Sequence, residues 1–76
     1  MELQEFIKNF ADQFDEIDVN EINENTEYKE LDGWNSLVAL SVIAMVDEEF
    51  DVTLKGNDIR DPKTIGELYQ LIQSKL

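Results

Sequence analysis

Ser36 is the residue of this 76-residue chain whose type and position best suit covalent chemistry. It lies in the tetrapeptide Trp34-Asn35-Ser36-Leu37, directly before the most apolar segment of the sequence. If that segment is a helix, the serine hydroxyl lies at its exposed start. Unpaired backbone N–H groups and the positive end of the helix dipole favour a phosphate there. The position therefore suits a covalently attached phosphate group.

The residue types that the chain lacks argue against catalysis by the chain itself. It contains no histidine and no cysteine, so the usual general base, the commonest metal ligand and any thiolate nucleophile are missing. Ser36 has no candidate base except carboxylates, and a chain this short leaves little room for a substrate cavity. We expect neither a serine hydrolase nor a zinc enzyme, and we predict no catalytic residue.

The charge of the chain points to proteins as partners. Eighteen acids and six bases give a formal net charge of −12. Such a surface repels nucleic acid and anionic lipid and attracts proteins with basic patches. Solubility is the simpler explanation of the acids, but a charge this large exceeds what solubility needs. Because of this charge we expect no nucleic-acid binding. Neither a signal peptide nor a membrane-length apolar run is apparent, so we expect a cytoplasmic protein without membrane insertion. We also expect a monomer.

Apolar spacing predicts an all-α fold of three long helices and one short helix, forming one domain over residues 1–76. The first helix has an apolar stripe at helical spacing, formed by Leu3, Phe6, Ile7, Phe10 and Phe14. A capping box, Thr64-Ile65-Gly66-Glu67, opens the last helix, whose stripe is Ile65, Leu68, Tyr69, Ile72 and Leu76. Between them, Lys55 to Asp61 predicts a short helical turn that Pro62 ends.

A long loop separates the first two helices, from about Asp15 to Asn35. Apolar residues recur in it and should fix it to the core, namely Ile17, Val19, Ile22, Tyr28 and Leu31. One helical turn is expected near Val19 to Glu24. The acids of this loop suggest calcium, but no register starting at Asp18 or Asn23 supplies the glycine that an EF-hand needs. We therefore predict no dedicated metal site.

The second helix is apolar from Leu37 to Val46 except at Ser41. One face has good core spacing and consists of Ala39, Val42, Ile43, Val46 and Phe50. The opposite side should face outward, and it consists of Leu37, Leu40, Ser41, Ala44 and Glu48. Leu37 and Leu40 either pack beneath the loop or contact a partner. These two interpretations are about equally supported. Asp47, Glu48 and Glu49 lie in the last turn, where the helix dipole disfavours acids, so a docking role is a further option beside a solvated acidic surface.

Four stretches of the sequence resemble one known family. They are Asn25 to Leu31, Asn35-Ser36-Leu37, Val42 to Val52 and Asp61 to Leu68. Together with helix order and total length, they resemble stand-alone acyl carrier proteins over essentially the whole chain. The resemblance implies that Ser36 carries 4′-phosphopantetheine, which a separate transferase takes from coenzyme A. It also implies acyl groups held as thioesters on that arm and presented to enzymes of fatty acid, lipid or secondary-metabolite biosynthesis.

The chain departs from the family pattern at three places. Asn35 replaces the usual Asp before the serine. Asparagine caps a helix about as well, but it has no carboxylate to take part in transferase recognition. Trp34 replaces a residue that is usually small or aliphatic. It either packs against the first turns of the helix as a hydrophobic staple or flanks the arm. The first half of the helix lacks acids, so we predict a docking face made of Leu37, Leu40, Ala44, Asp47 and Glu48.

Two other functions remain open at this stage. An aminoacyl or peptidyl carrier is a close variant, although such carriers tend to have more glycine before the serine and a less acidic surface. An acidic helical interaction module without a prosthetic group is the alternative from another class, because the core stripes do not depend on Ser36. In that case Ser36 only helps to start the helix. For an arbitrary serine before an arbitrary helix, this structural role is a better explanation than covalent attachment.

Overall fold

The computed structural model describes residues 2–76, and its regular structure is helical. α1 spans Leu3–Ala11, α2 spans Ser36–Phe50, α3 spans Gly56–Arg60 and α4 spans Ile65–Ser74. No strand occurs in this part of the chain. The predicted all-α fold of three longer helices and one short helix is therefore confirmed. None of the helices within residues 2–76 is long and apolar enough to cross a membrane.

The long connection between α1 and α2 is ordered by two 3₁₀ turns. The first, Val19–Glu21, falls where a helical turn was predicted, and the second, Tyr28–Glu30, was not predicted. Most of the predicted apolar anchors are confirmed, since Ile22 and Tyr28 are buried and Ile17 and Leu31 pack against the core. Val19 is the exception. Its side chain is 37% exposed, so this anchor was predicted wrongly.

The core collects side chains from all four helices and from the connection. The largest fully buried side chains are Tyr28, Phe6, Phe10, Ile65, Leu68, Ile72, Val42 and Val46. The predicted burial of the α1 stripe is confirmed, with Leu3 only partly buried. Phe14, however, lies beyond the helix, because α1 ends at Ala11. In α2, Met45 is buried although it was not assigned to the core face. The prediction for Leu76 is wrong, because α4 ends at Ser74 and leaves this side chain 64% exposed.

Tyr28 joins the connection to α3. Its hydroxyl donates to the carbonyl oxygen of Ile59 at 2.5 Å and also lies 3.2 Å from the carbonyl oxygen of Pro62. The neighbouring Lys29 ammonium donates to the carbonyl oxygen of Arg60. Burial, with the nearby negative charges of Glu67 and Asp61, raises the pKa of the Tyr28 hydroxyl well above its ordinary value. The hydroxyl therefore stays protonated and acts as a donor.

The start of α4 is joined to the same connection through backbone hydrogen bonds. The N–H groups of Ile65 and Gly66 donate to the carbonyl oxygens of Thr26 and Glu24 at 3.0 and 2.8 Å. These bonds satisfy two of the N–H groups that a helix start leaves unpaired. Gly66 allows this close approach, because a Cβ atom there would lie 2.9 Å from the Glu24 carbonyl oxygen.

The predicted capping box at α4 forms in part. The Thr64 hydroxyl accepts from the Glu67 N–H at 3.1 Å, as expected. The Glu67 carboxylate, however, accepts from the N–H of Lys63 at 3.3 Å, one residue before the position that a capping box uses. The helix start is capped by threonine as predicted, whereas the reciprocal bond was assigned to the wrong residue.

Candidate functional site

Asn35 fixes the start of α2 and leaves Ser36 as its first residue. The Asn35 side-chain oxygen accepts from the N–H of Val38 at 2.9 Å, and its carbonyl oxygen accepts from the N–H of Ala39 at the same distance. The backbone of Asn35 is extended, as expected for a cap. The expectation that Asn35 acts as the cap and leaves Ser36 in the first helical turn is confirmed.

The surroundings of Ser36 favour an attached anion. The residue is exposed and begins a 15-residue helix. Helix geometry leaves the N–H groups of Ser36 and Leu37 without an acceptor inside the helix, and the first turn of α2 contains no acid. A phosphate group on the hydroxyl meets the positive end of the helix dipole, an interaction worth about 0.3–1 kcal/mol at an exposed site.

Trp34 lies against the core. Its ring contacts three other aromatic rings. Between ring centroids, Phe10 lies 6.4 Å away and Phe14 6.2 Å away, and the Phe10 ring is nearly parallel to Trp34. The Tyr28 ring lies 5.1 Å away and edge-on. These partners come from α1, the turn after it and the second 3₁₀ turn. Trp34 therefore holds the chain immediately before Ser36 against the core. Its packing on α2 as a staple and its flanking of the arm both stay predictions.

The residues predicted to face a partner lie on one exposed stripe of α2. Leu37 and Leu40 are 73% and 62% exposed, and Ala44, Asp47 and Glu48 are exposed as well. Their spacing of three or four residues places them along one side of the helix. The option that the two leucines pack beneath the loop is therefore wrong. The stripe is apolar near Ser36 and acidic at the far end, and we call it the α2 stripe.

A groove lies beside Ser36, between α2 and the chain that follows α1. It has a volume of about 700 Å³. The residues that line it are Gln13, Phe14, Asp15, Glu16, Ile17, Glu21, Leu31, Asp32, Gly33, Asn35, Leu37, Val38 and Ser41. Sequence reasoning did not find this groove. The recurring apolar residues of the loop were a signal for contact with the core, but nothing indicated a space between the loop and α2.

The acids of the chain are not arranged as a metal centre. Within residues 2–76, no group of three or more acidic side chains is placed to hold a metal ion. The chemistry that the site offers is an exposed hydroxyl on a helix start, beside a groove and at one end of an exposed apolar stripe. This arrangement can hold a phosphate-linked group and present it to another protein.

Comparison with known proteins agrees with this chemistry. Residues 5–72 match the family described as "Phosphopantetheine attachment site". An acyl carrier protein from an Exiguobacterium species is 29% identical over 59 residues, which cover 78% of this chain and 75% of that protein. No solved structure gives a significant match. Because the family match spans most of the chain, the protein belongs to the phosphopantetheine-bearing family of acyl carrier proteins.

Proposed function

We propose that Ser36 is the residue of this chain that carries 4′-phosphopantetheine. Proteins of the family are carriers rather than catalysts and interact with phosphopantetheinyl transferases and acyl-handling enzymes. The observation that carries the assignment is the exposed hydroxyl of Ser36 at the start of α2, with Asn35 rather than Ser36 acting as the cap. The match to the family over residues 5–72 includes this position.

The proposed loading reaction forms one phosphodiester bond at Ser36. The Ser36 hydroxyl oxygen attacks the pantetheine-bearing phosphorus of coenzyme A, and the bond from that phosphorus to the bridging oxygen breaks. The leaving group is adenosine 3′,5′-bisphosphate, and the serine proton goes to a base of the transferase, since the chain has no histidine of its own. When bound, the arm supplies a terminal thiol that holds acyl groups as thioesters.

The serine environment suits this product. A phosphodiester keeps one negative charge, which lies at the positive end of the α2 dipole. The nearest acids of α2 itself are Asp47, Glu48 and Glu49 in its last turns. At the rise of an α-helix they lie about 16–20 Å from Ser36 along the axis. Local repulsion along α2 is therefore small.

The α2 stripe is the proposed docking face for the transferase and for acyl-handling enzymes. Leu37, Leu40 and Ala44 offer an exposed apolar patch next to the serine, and Asp47 and Glu48 add negative charge at the far end. Aliphatic side chains this exposed gain by burial in a partner. The name of the acyl carrier relative supports acyl groups as the cargo. We further propose that the carrier serves fatty acid, lipid or secondary-metabolite biosynthesis in the cytoplasm.

Intact-mass measurement after incubation with coenzyme A, magnesium and a broad-specificity transferase tests this function. The chain has three serines, Ser36, Ser41 and Ser74, so matched controls exist. We expect one phosphopantetheine per chain in the wild type and in Ser41→Ala and Ser74→Ala, and none in Ser36→Ala. An unchanged mass of correctly folded wild-type protein would instead favour an interaction module without a prosthetic group.

A further inference from the structure

We propose that the groove between α2 and the chain following α1 is the resting site of the pantetheine arm and of a neutral acyl group attached to it. This inference rests on the proposed function of Ser36 and adds where the arm lies between transfers. We call the site the loop–α2 groove. Its lining residues come from the connection that follows α1, beginning at Gln13, and from the first half of α2.

The position of Ser36 relative to the groove supports this occupant. Asn35, Leu37 and Val38 all line the groove, so the residues immediately before and after the serine border it. No residue of α3 or α4 is among its described lining residues. An arm attached at Ser36 therefore meets this space directly. The volume of about 700 Å³ falls within the range of roughly 300–1,000 Å³ that small-molecule sites occupy.

The chemistry of the lining matches the arm. Phe14, Ile17, Leu31 and Val38 are apolar lining residues that also belong to the core or pack against it. Gln13, Asn35 and Ser41 add neutral amide and hydroxyl groups to the lining. The pantetheine arm combines geminal methyl groups with two amides and a hydroxyl, so it needs apolar surface and neutral hydrogen-bonding partners together.

The loop side of the groove is held in place before any arm arrives. The Leu31 N–H donates to the Tyr28 carbonyl oxygen at 3.2 Å, and the Trp34 N–H donates to the Leu31 carbonyl oxygen at 3.1 Å. The hydroxyl of Tyr28 is in turn bonded to Ile59. A site that is already ordered costs little conformational entropy on binding. Tethering also raises the local concentration of the arm to the millimolar range, so a weak site is enough.

The charge of the groove limits the acyl group that it takes. Four acids belong to the lining, Asp15, Glu16, Glu21 and Asp32, and all four are exposed. An acyl group ending in a carboxylate is repelled by these side chains, whereas an uncharged acyl end is not. The groove therefore selects neutral cargo, such as acetyl, over dicarboxylic cargo, such as malonyl.

Nuclear magnetic resonance of the loaded carrier tests the site directly. The apo, holo, acetyl and malonyl forms are compared by backbone shifts and by cross-relaxation between the geminal methyls of the arm and protein protons. We expect contacts to Leu31 and Val38 in the holo and acetyl forms and weaker contacts in the malonyl form. Contacts to α3 instead, or none in any form, would overturn the groove as the resting site; equal contacts for both cargoes would overturn the charge selection.

A matched pair of variants gives a second readout. Ser41→Leu fills part of the groove, while Ser74→Leu makes the same change in the exposed last turn of α4. In the holo proteins we expect the arm thiol to react several-fold faster with a neutral maleimide in Ser41→Leu than in wild type, with no change in Ser74→Leu. Equal rates in all three proteins would contradict the proposal. If Ser41→Leu does not fold, the resonance experiment on wild type decides.

The two proposals fail in different ways. If no holo protein forms, the assignment of Ser36 fails and the groove has no arm to receive. If holo protein forms but neither the contacts nor the thiol rate involves the groove, Ser36 remains the attachment residue and only the resting site is wrong.

Discussion

The hydroxyl of Tyr28 lies 2.5 Å from the carbonyl oxygen of Ile59, 31 residues further along the chain. This bond fixes the second 3₁₀ turn to α3. The ring of Tyr28 also contacts Trp34 edge-on at 5.1 Å, and Trp34 is two residues before Ser36. The position of the serine is thus linked to α3 by one buried tyrosine, and the loop side of the loop–α2 groove depends on the same residue.

Removing this hydroxyl should destabilise the protein. Tyr28→Phe leaves the carbonyl oxygens of Ile59 and Pro62 without their phenol donor, which we expect to cost about 1–3 kcal/mol. Urea unfolding measures the change in the free energy of unfolding. Tyr69→Phe is the control, because Tyr69 is only partly buried and its hydroxyl accepts from the Gln73 side chain within one helix. A cost for Tyr28→Phe no larger than for the control would contradict this account.

The same residue predicts how stability depends on pH. The folded protein holds the pKa of Tyr28 above its ordinary value, so the neutral phenol favours the folded state. This contribution is fully present below the unfolded pKa of about 10 and is lost progressively as the pH rises above it. Unfolding measured from pH 9 to 11 should show a steeper loss for wild type than for Tyr28→Phe. Parallel curves would show that Tyr28 does not contribute.

Two glycine substitutions should change stability in opposite directions. Alanine is the better helix former by about 1 kcal/mol, so Gly56→Ala should stabilise α3, where a Cβ atom meets nothing within 4 Å. In Gly66→Ala the new Cβ would lie 2.9 Å from the Glu24 carbonyl oxygen. Relieving that clash disturbs the hydrogen bond from the Gly66 N–H to Glu24, so we expect a net loss of about 1–2 kcal/mol. Thermal or urea unfolding compares the pair, and a stabilised Gly66→Ala would mean that the loop moves freely.

Docking on the α2 stripe should depend more on apolar contact than on charge. Leu40→Ala is expected to lower kcat/KM for loading by the transferase by about tenfold, which corresponds to about 1.4 kcal/mol of lost binding free energy. The reason is that a largely exposed leucine gains most by burial in a partner. Glu48→Gln should change it far less at physiological salt. Thr53→Ala, exposed outside the stripe, is the control and should load normally. A steep fall of loading with added salt in the wild type would refute the apolar footprint.

Salt should stabilise the apo protein. Eighteen acids face six bases, and within residues 2–76 the ion pair that forms is Lys75 with Asp58 at 3.8 Å. Self-repulsion is therefore large at low ionic strength. We expect the Tm to rise by several degrees on adding salt or millimolar divalent ions, since about 1 kcal/mol corresponds to roughly 4–8 °C in a protein of this size.

A variant with fewer acids checks the cause of that salt effect. Replacing Asp47, Glu48 and Glu49 by their amides removes three negative charges from the C-terminal turns of α2. The variant should start with a higher Tm in low salt and gain less from added salt than wild type. A Tm of the wild type that is unchanged or lowered by salt would show that the acids are already compensated.

The helices and their caps followed from local patterns in the sequence. The apolar stripe of α1, the asparagine cap of α2 and the threonine cap of α4 each depend on residues within one or two helical turns. Those predictions were confirmed for this reason. The errors also have local causes, since Val19 is apolar but belongs to an exposed turn and Leu76 lies beyond the end of α4.

The long-range contacts could not be predicted in this way. Nothing in the spacing of Tyr28 indicates that its hydroxyl reaches Ile59 and Pro62, 31 and 34 residues away. The rings around Trp34 likewise come from three separate segments. The loop–α2 groove results from how these segments pack, and packing of distant segments is not encoded in any single periodic pattern.

Mass spectrometry of the protein purified from its native host tests the central claim most directly. Peptide fragmentation of that material should locate one 4′-phosphopantetheine on Ser36, with Ser41 and Ser74 unmodified. Material that is folded and fully unmodified at Ser36, or that carries the group on another residue, would contradict the proposed function.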